Sequence, residues 1–186
     1  MPIAKEHKKI LVAGFVTIII LAILTYFIVT NNKNVVDEKV RDIFIGQEEK
    51  PAVYTDLEGN QLSLKEYLGK IMVVTSWASW SPYSKMELEL LDKVALNYDQ
   101  EKVVFLAINR KESKDRAKRY INTVSQVETV KIILDPEDRF YKLIGGYAMP
   151  ETIVYDKKGN VEKHFRGTLS EEELKGIIDK SLSNTN

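Results

Sequence analysis

Two regimes of hydrophobic patterning divide the chain. From Ile10 to Thr30 the run ILVAGFVTIIILAILTYFIVT carries no charge. As a helix, at about 1.5 Å per residue, it would span roughly 30 Å, the thickness of a bilayer's hydrocarbon layer. It predicts a transmembrane helix over residues 10–30. A secretory signal has a shorter apolar core of about 7–15 residues and small residues at a cleavage site. Tyr26-Phe27-Ile28-Val29 offers no such site. Residues 1–9 then form a cytoplasmic tail and residues 31–50 a polar juxtamembrane linker. Lys5, Lys8 and Lys9 precede the span while Lys33, Lys39 and Arg41 follow it, so charge bias orients it only weakly.

Beyond Pro51 the pattern becomes that of a globular domain, expected over residues 51–184. Residues 52–55 and 61–63 flank the turn at Glu58-Gly59-Asn60 as a short hairpin. Ser63 with Glu66 has the spacing of a capping box for a small helix. Ile71 to Trp77 is a continuous apolar, β-rich run, as for a strand covered on both faces. Met86, Leu90 and Val94, with Leu91, recur as the inner face of a helix. A second buried strand follows over 102–109, a helix over 113–125, a third strand over 131–134 and a helical turn over 138–144. A hairpin of 152–155 and 161–165 leads to a closing helix with Ser170 and Glu173 at its start and Leu174, Ile177 and Ile178 inside. Alternation of this kind predicts an α/β fold with a central mixed sheet flanked by helices.

Composition narrows the chemistry. The 186 residues, 44% of them hydrophobic, suffice for one domain with an appendage. With 27 basic and 27 acidic side chains there is no global field to draw nucleic acid. There is no cysteine, which removes disulfides, thiolate metal sites and cysteine nucleophiles together.

The stretch Val74-Thr75-Ser76-Trp77-Ala78-Ser79-Trp80-Ser81-Pro82-Tyr83-Ser84-Lys85-Met86-Glu87 resembles the active-site segment of membrane-anchored thioredoxins of the TlpA/ResA type, kin of the redoxin and thiol-specific antioxidant families. Leu134-Asp135-Pro136, Gly146-Tyr147-Ala148-Met149-Pro150 and Asp156-Lys157-Lys158-Gly159-Asn160 match in the same order. The resemblance covers roughly residues 50–182. It implies a thioredoxin-like fold, a single-pass membrane protein with its C-terminal domain outside the cytoplasm, and a cis-proline at Pro150. It also implies a groove lined by Trp80, Ser81, Pro82, Tyr83, Ser84, Met149 and Pro150, in which the residue before the proline pairs with an extended client chain.

Ser81 and Ser84 stand where the family's two cysteines would be, and Glu87 matches the acid that assists proton movement there. Thiol–disulfide exchange needs a thiolate of lowered pKa and a second sulfur to resolve the mixed disulfide. Serine supplies neither, and without a thiol no sulfenic acid forms for peroxidase chemistry. Two functions are expected from this pattern. One is a non-redox module that binds polypeptide clients or assembles with envelope proteins. The other is a thiol–disulfide oxidoreductase by descent, silenced by natural or engineered Cys-to-Ser replacement.

The residues also admit a purely structural reading. Ser81 suits an N-cap, Pro82 the first helical position, and Ser84 with Glu87 a second capping pair, leaving Glu87 a surface or capping carboxylate. Trp77 is expected in the core, Trp80 and Tyr83 partly exposed. A serine hydrolase needs a base, and of the two histidines His7 precedes the membrane span while His164 reads as an exposed strand residue. One histidine and scattered carboxylates show no ligand spacing, so no metal or other cofactor is expected. Gly145-Gly146 reads as a helix C-cap.

Overall fold

The computed structural model describes residues 15, 17–29, 54–125 and 127–183. The chain falls into two compact units, Met1–Asp37 and Glu38–Asn186. In the first, residues 17–29 form helix α1, whose described side chains are all exposed. Thr25 turns its hydroxyl back onto the carbonyls of Leu21 and Ala22, so even its polar atom is satisfied within the helix. Among the described residues no helix is long and apolar enough to cross a membrane. The rest of the 10–30 span, residues 10–14, 16 and 30, lies outside the described residues, as do 1–9, the 31–50 linker, and residues 51–53 and 184 at the expected domain's ends.

The second unit holds one sheet built from β1 (Tyr54–Asp56), β2 (Gln61–Leu62), β3 (Ile71–Trp77), β4 (Val103–Arg110), β5 (Lys131–Asp135), β6 (Glu151–Tyr155) and β7 (Val161–Arg166). The strand order is β2-β1-β5-β4-β3-β6-β7. β3, β4 and β5 run parallel, and β6 pairs antiparallel with β3, so the sheet is mixed as expected. Helices α2 (Ser84–Ala95), α3 (Lys114–Ile121), α4 (Arg139–Leu143) and α5 (Glu171–Ser183) complete the domain.

All seven residues of β3 are buried. Ile71, Val73 and Trp77 join Val103, Phe105 and Ala107 in one cluster with Leu88 and Leu91 of α2, Ala117 of α3 and Leu174 and Ile178 of α5. The alternate residues Met72, Val74, Leu106 and Ile108 point to the other face and are equally buried. Both faces are therefore covered, which is why this strand reads as an unbroken apolar run.

Short polar motifs punctuate the fold. The hairpin turns at Asp56-Leu57-Glu58-Gly59-Asn60 and Asp156-Lys157-Lys158-Gly159-Asn160 use the same device. In each, the aspartate Oδ1 accepts backbone N–H groups of the turn while the asparagine amide donates to Oδ2. The boxes at Ser63–Glu66 and Ser170–Glu173 form as their spacing predicts, the first on a 3-10 turn.

The inner face of α2 differs from the sequence reading. Met86 is 53% exposed. The buried stripe is Ser84, Glu87, Leu88, Leu91, Asp92, Val94 and Ala95. Leu91 and Val94 are buried as read, and Leu90 packs partly against the core, but three inward positions are held by Ser84, Glu87 and Asp92, which hydropathy alone does not mark. Asp92 earns its burial by accepting the N–H groups of Glu128, Thr129 and Val130 on one oxygen, which fixes the loop ahead of β5.

Candidate functional site

β3 ends at the buried Trp77, stacked 5.5 Å from Tyr120 of α3, and the chain turns through Ala78-Ser79-Trp80 before entering α2. Glu112 pins this turn. Its two oxygens accept the Ser79 hydroxyl at 2.6 Å, the Ser79 N–H at 2.8 Å and the Asn109 amide at 2.8 Å, while Arg116 pairs with it at 2.9 Å. Burial opposes the ionised form of Glu112, but the bonds from Asn109 and Ser79 outweigh it and hold the carboxyl below its usual range.

The two serines do not cap the helix. The residue at the N-cap is Tyr83, with no side-chain capping bond, and the helix begins at Ser84, not Pro82. Ser81 is buried and donates its hydroxyl to the carbonyl of Met149 at 3.0 Å, because the turn faces the loop before β6. Ser84 is fully buried and its Oγ accepts the N–H of Ala78 at 3.3 Å. The Met149–Pro150 peptide bond is cis.

Glu87 is not a surface or capping carboxylate; it has no exposed area at all. Placed one turn into α2, it faces the sheet where Thr75 and Thr152 sit opposite each other in register. Thr152 donates to Glu87 Oε1 at 2.9 Å and shares a 2.8 Å hydrogen bond with Thr75. Oε2 has no hydrogen bond of good geometry. Burial pushes the Glu87 carboxyl up to about 7, with the Thr152 hydroxyl opposing.

The loop before β6 is held by a second buried carboxylate. Glu151 Oε1 accepts the N–H groups of Tyr147 and Ala148, both at 2.6 Å. Its Oε2 hydrogen-bonds His164 Nε2 at 2.6 Å and lies 3.5 Å from Arg166. Burial would raise this carboxyl, yet the His164 bond and the two amides prevail and keep it below its usual range. His164 is thus no exposed strand residue: its side chain is 14% exposed and inward-facing. Arg166 also donates to the carbonyl of Gly145 and covers the Tyr147 ring at 4.4 Å. From the other side, Tyr141 donates to the carbonyl of Ala148 under the guanidinium of Arg110, itself paired with Asp138.

Gly145 takes a positive φ of 60° at the end of α4, the helix cap its sequence suggests. Gly146 is required for a different reason, since a Cβ there would collide with the Tyr141 ring.

The structure therefore brings Ser81, Ser84, Met149 and Pro150 together and leaves Trp80, Tyr83 and Tyr147 exposed at 56%, 55% and 76%. Trp77 is core, as expected. Sequence reasoning missed Glu112, Glu151, Tyr141 and Arg166. Glu151 carried a signal, a carboxylate opening an apolar strand; Glu112 carried none. Among the described residues no group of three or more acidic or histidine side chains could hold a metal ion.

A mixed sheet of this order, a helix entered through Trp-Ser-Pro-Tyr-Ser and a facing cis-proline define a thioredoxin-superfamily domain. Residues 45–164 match the AhpC/TSA family, and the chain belongs to it. It is 26% identical over 175 residues to the thiol-disulfide oxidoreductase ResA of Geobacillus thermodenitrificans, covering 94% of this chain and 97% of that protein. It is also 26% identical over 182 residues to the thiol:disulfide interchange protein DsbE of Haemophilus influenzae, covering 93% and 96%. Among solved structures, a putative DsbE from Chlorobium tepidum superposes with a TM-score of 0.64 at 20% identity, over 70% of this chain and 92% of that one. The exposed lipoprotein thioredoxin of Streptococcus pneumoniae gives 0.61 at 19%, over 69% and 97%. The ResA and the two DsbE relatives are named as thiol–disulfide proteins, and this chain has no cysteine.

Proposed function

We propose that this protein is a membrane-tethered, redox-silent member of its family that binds extended polypeptide segments, or assembles with envelope proteins, across the groove between the start of α2 and Pro150. The observation that carries the reading is the Ser81–Met149 hydrogen bond. The two sides of the groove are joined by hydroxyl chemistry, with three large aromatic side chains left facing solvent around them. Such a surface can hold a chain through backbone bonds and aromatic contact without any sulfur.

The tether is the uncharged span of residues 10–30, of which the described helical part presents apolar side chains on every side. A single-pass anchor with the domain outside the cytoplasm fits the relatives, one of which is named as an exposed lipoprotein. Protease added to intact cells tests it: digestion of the domain supports this orientation, and full protection contradicts it. A photo-crosslinker at Tyr83 or Met149, activated in membranes, tests the groove. Discrete polypeptide adducts are expected, and their absence contradicts the binding role.

One observation favours a second reading, an oxidoreductase by descent. Glu87 keeps the place of the family acid and is held buried, with its carboxyl pushed up to about 7, although no cysteine is present to exchange a proton with it.

A further inference from the structure

The chain has 27 basic and 27 acidic side chains, yet they are not spread evenly. At the entry to α3 and along it, Lys111, Lys114, Lys118 and Arg119 are all exposed, and none of them forms an ion pair among the described residues. Arg116 is paired with Glu112, and Asp115 is the one exposed acid of the stretch. Folding does not call for this composition, since Ala117 is the only residue that α3 buries. Lys114 and Lys118 stand one turn apart, a like-charge spacing that weakens a helix. Lys111 holds a positive φ of 54°, a conformation unfavourable to any residue with a side chain.

The basic stretch adjoins an exposed tryptophan. Arg116 Nε donates to Ser79 Oγ at 2.8 Å, and Glu112 takes the Ser79 hydroxyl and N–H, so the start of α3 lies against the turn that carries Trp80. An exposed tryptophan beside unpaired lysines and arginine is the composition of a surface that rests in a bilayer's headgroup layer. The ring takes the polar–apolar boundary and the cations take anionic headgroups. Ser81, on the other side of the turn, faces Met149, so contact through α3 leaves the Pro150 side of the groove open.

Distance favours the same partner. Residues 31–53 separate the uncharged span from β1, and a flexible linker of that length averages about 25–30 Å end to end. A domain tethered on that scale meets the bilayer surface at a high effective concentration.

We propose that α3 and the adjoining Trp80 form a membrane-docking face, which lays the domain on the anionic phospholipid headgroups of the bilayer that anchors the chain. This rests on the tether reading above.

Both tryptophans of the chain, Trp77 and Trp80, lie in the domain, and Trp77 is buried, so a quencher carried by the lipid reports on Trp80. The test reconstitutes the full chain into vesicles of phosphatidylcholine brominated near the headgroup, with or without phosphatidylglycerol. Bromine in both leaflets makes the reading independent of the side on which the domain sits. Quenching should appear with phosphatidylglycerol and be lost at about 1 M salt, where the Debye length falls to about 3 Å. In Lys111→Glu/Lys118→Glu the docked-to-free ratio should fall more than about tenfold, at roughly fivefold per cation. Lys157→Glu/Lys158→Glu makes the same charge change at the other end of the sheet and should keep the quenching. Equal quenching in both lipids overturns the inference and leaves the tether intact, as does quenching unchanged in the first variant or lost equally in the second. A chain that does not float with the vesicles overturns both readings.

Discussion

Glu87 and Thr152 meet at 2.9 Å inside the domain, where the first full turn of α2 crosses β6, and the carboxyl so placed has no water to ionise into. Its proton is therefore held in the folded state to about 7, against 4.5 ordinarily.

That difference makes stability depend on pH. Below about 4.5 both folded and unfolded chains carry the proton and the group contributes nothing. As pH rises toward 7 the unfolded chain releases its proton first, so folding loses up to about 3 kcal/mol, and above 7 the loss is constant. Glu87→Gln should remove this slope. Urea denaturation of both proteins between pH 4.5 and 8 checks it, and parallel profiles would refute the assignment.

Glu151 acts in the opposite sense. Its carboxyl is held below the usual range by His164 and the loop amides, so its contribution is present above that range and is lost as pH falls through the depressed value. Glu151→Ala leaves two loop N–H groups and His164 without their acceptor and should cost about 3–5 kcal/mol at neutral pH, the scale for removing one side of a buried pair. Chemical denaturation at pH 7 measures it; a loss under about 1 kcal/mol would show that the loop holds itself.

Gly145 and Gly146 should respond to alanine for separate reasons. Gly146→Ala must displace the Tyr141 ring and with it the bond to the Ala148 carbonyl, at about 1–3 kcal/mol. Gly145→Ala meets no neighbour but carries a φ of 60°, worth about 1 kcal/mol. Only the first should also alter peptide binding, since only it moves the loop bearing Met149. Thermal melts and the yield of photo-crosslinked polypeptide from Tyr83 distinguish them.

How much of this was legible in the sequence follows from what each residue does. Ile71 to Trp77 announced a buried central strand because burial on both faces leaves no polar alternation to confuse the reading. The capping boxes at Ser63 and Ser170 were legible because their geometry is local. Ser81, Ser84 and Glu87 were found as a set but given the wrong bonds. Local spacing suggests capping, whereas Ser81 binds Met149, 68 residues away, and Glu87 binds Thr152, 65 away. Contacts at that separation leave no trace in a window of one helix turn. The same holds for His164, which looks like an exposed strand residue until Glu151 is placed across the β6–β7 ladder.

We propose a thioredoxin scaffold that lacks only its sulfur. Insulin reduction by dithiothreitol, followed in parallel with the unaltered chain and with Ser81→Cys/Ser84→Cys, tests this most directly. Acceleration by the double variant alone is the predicted result, and acceleration by the unaltered chain would contradict the account.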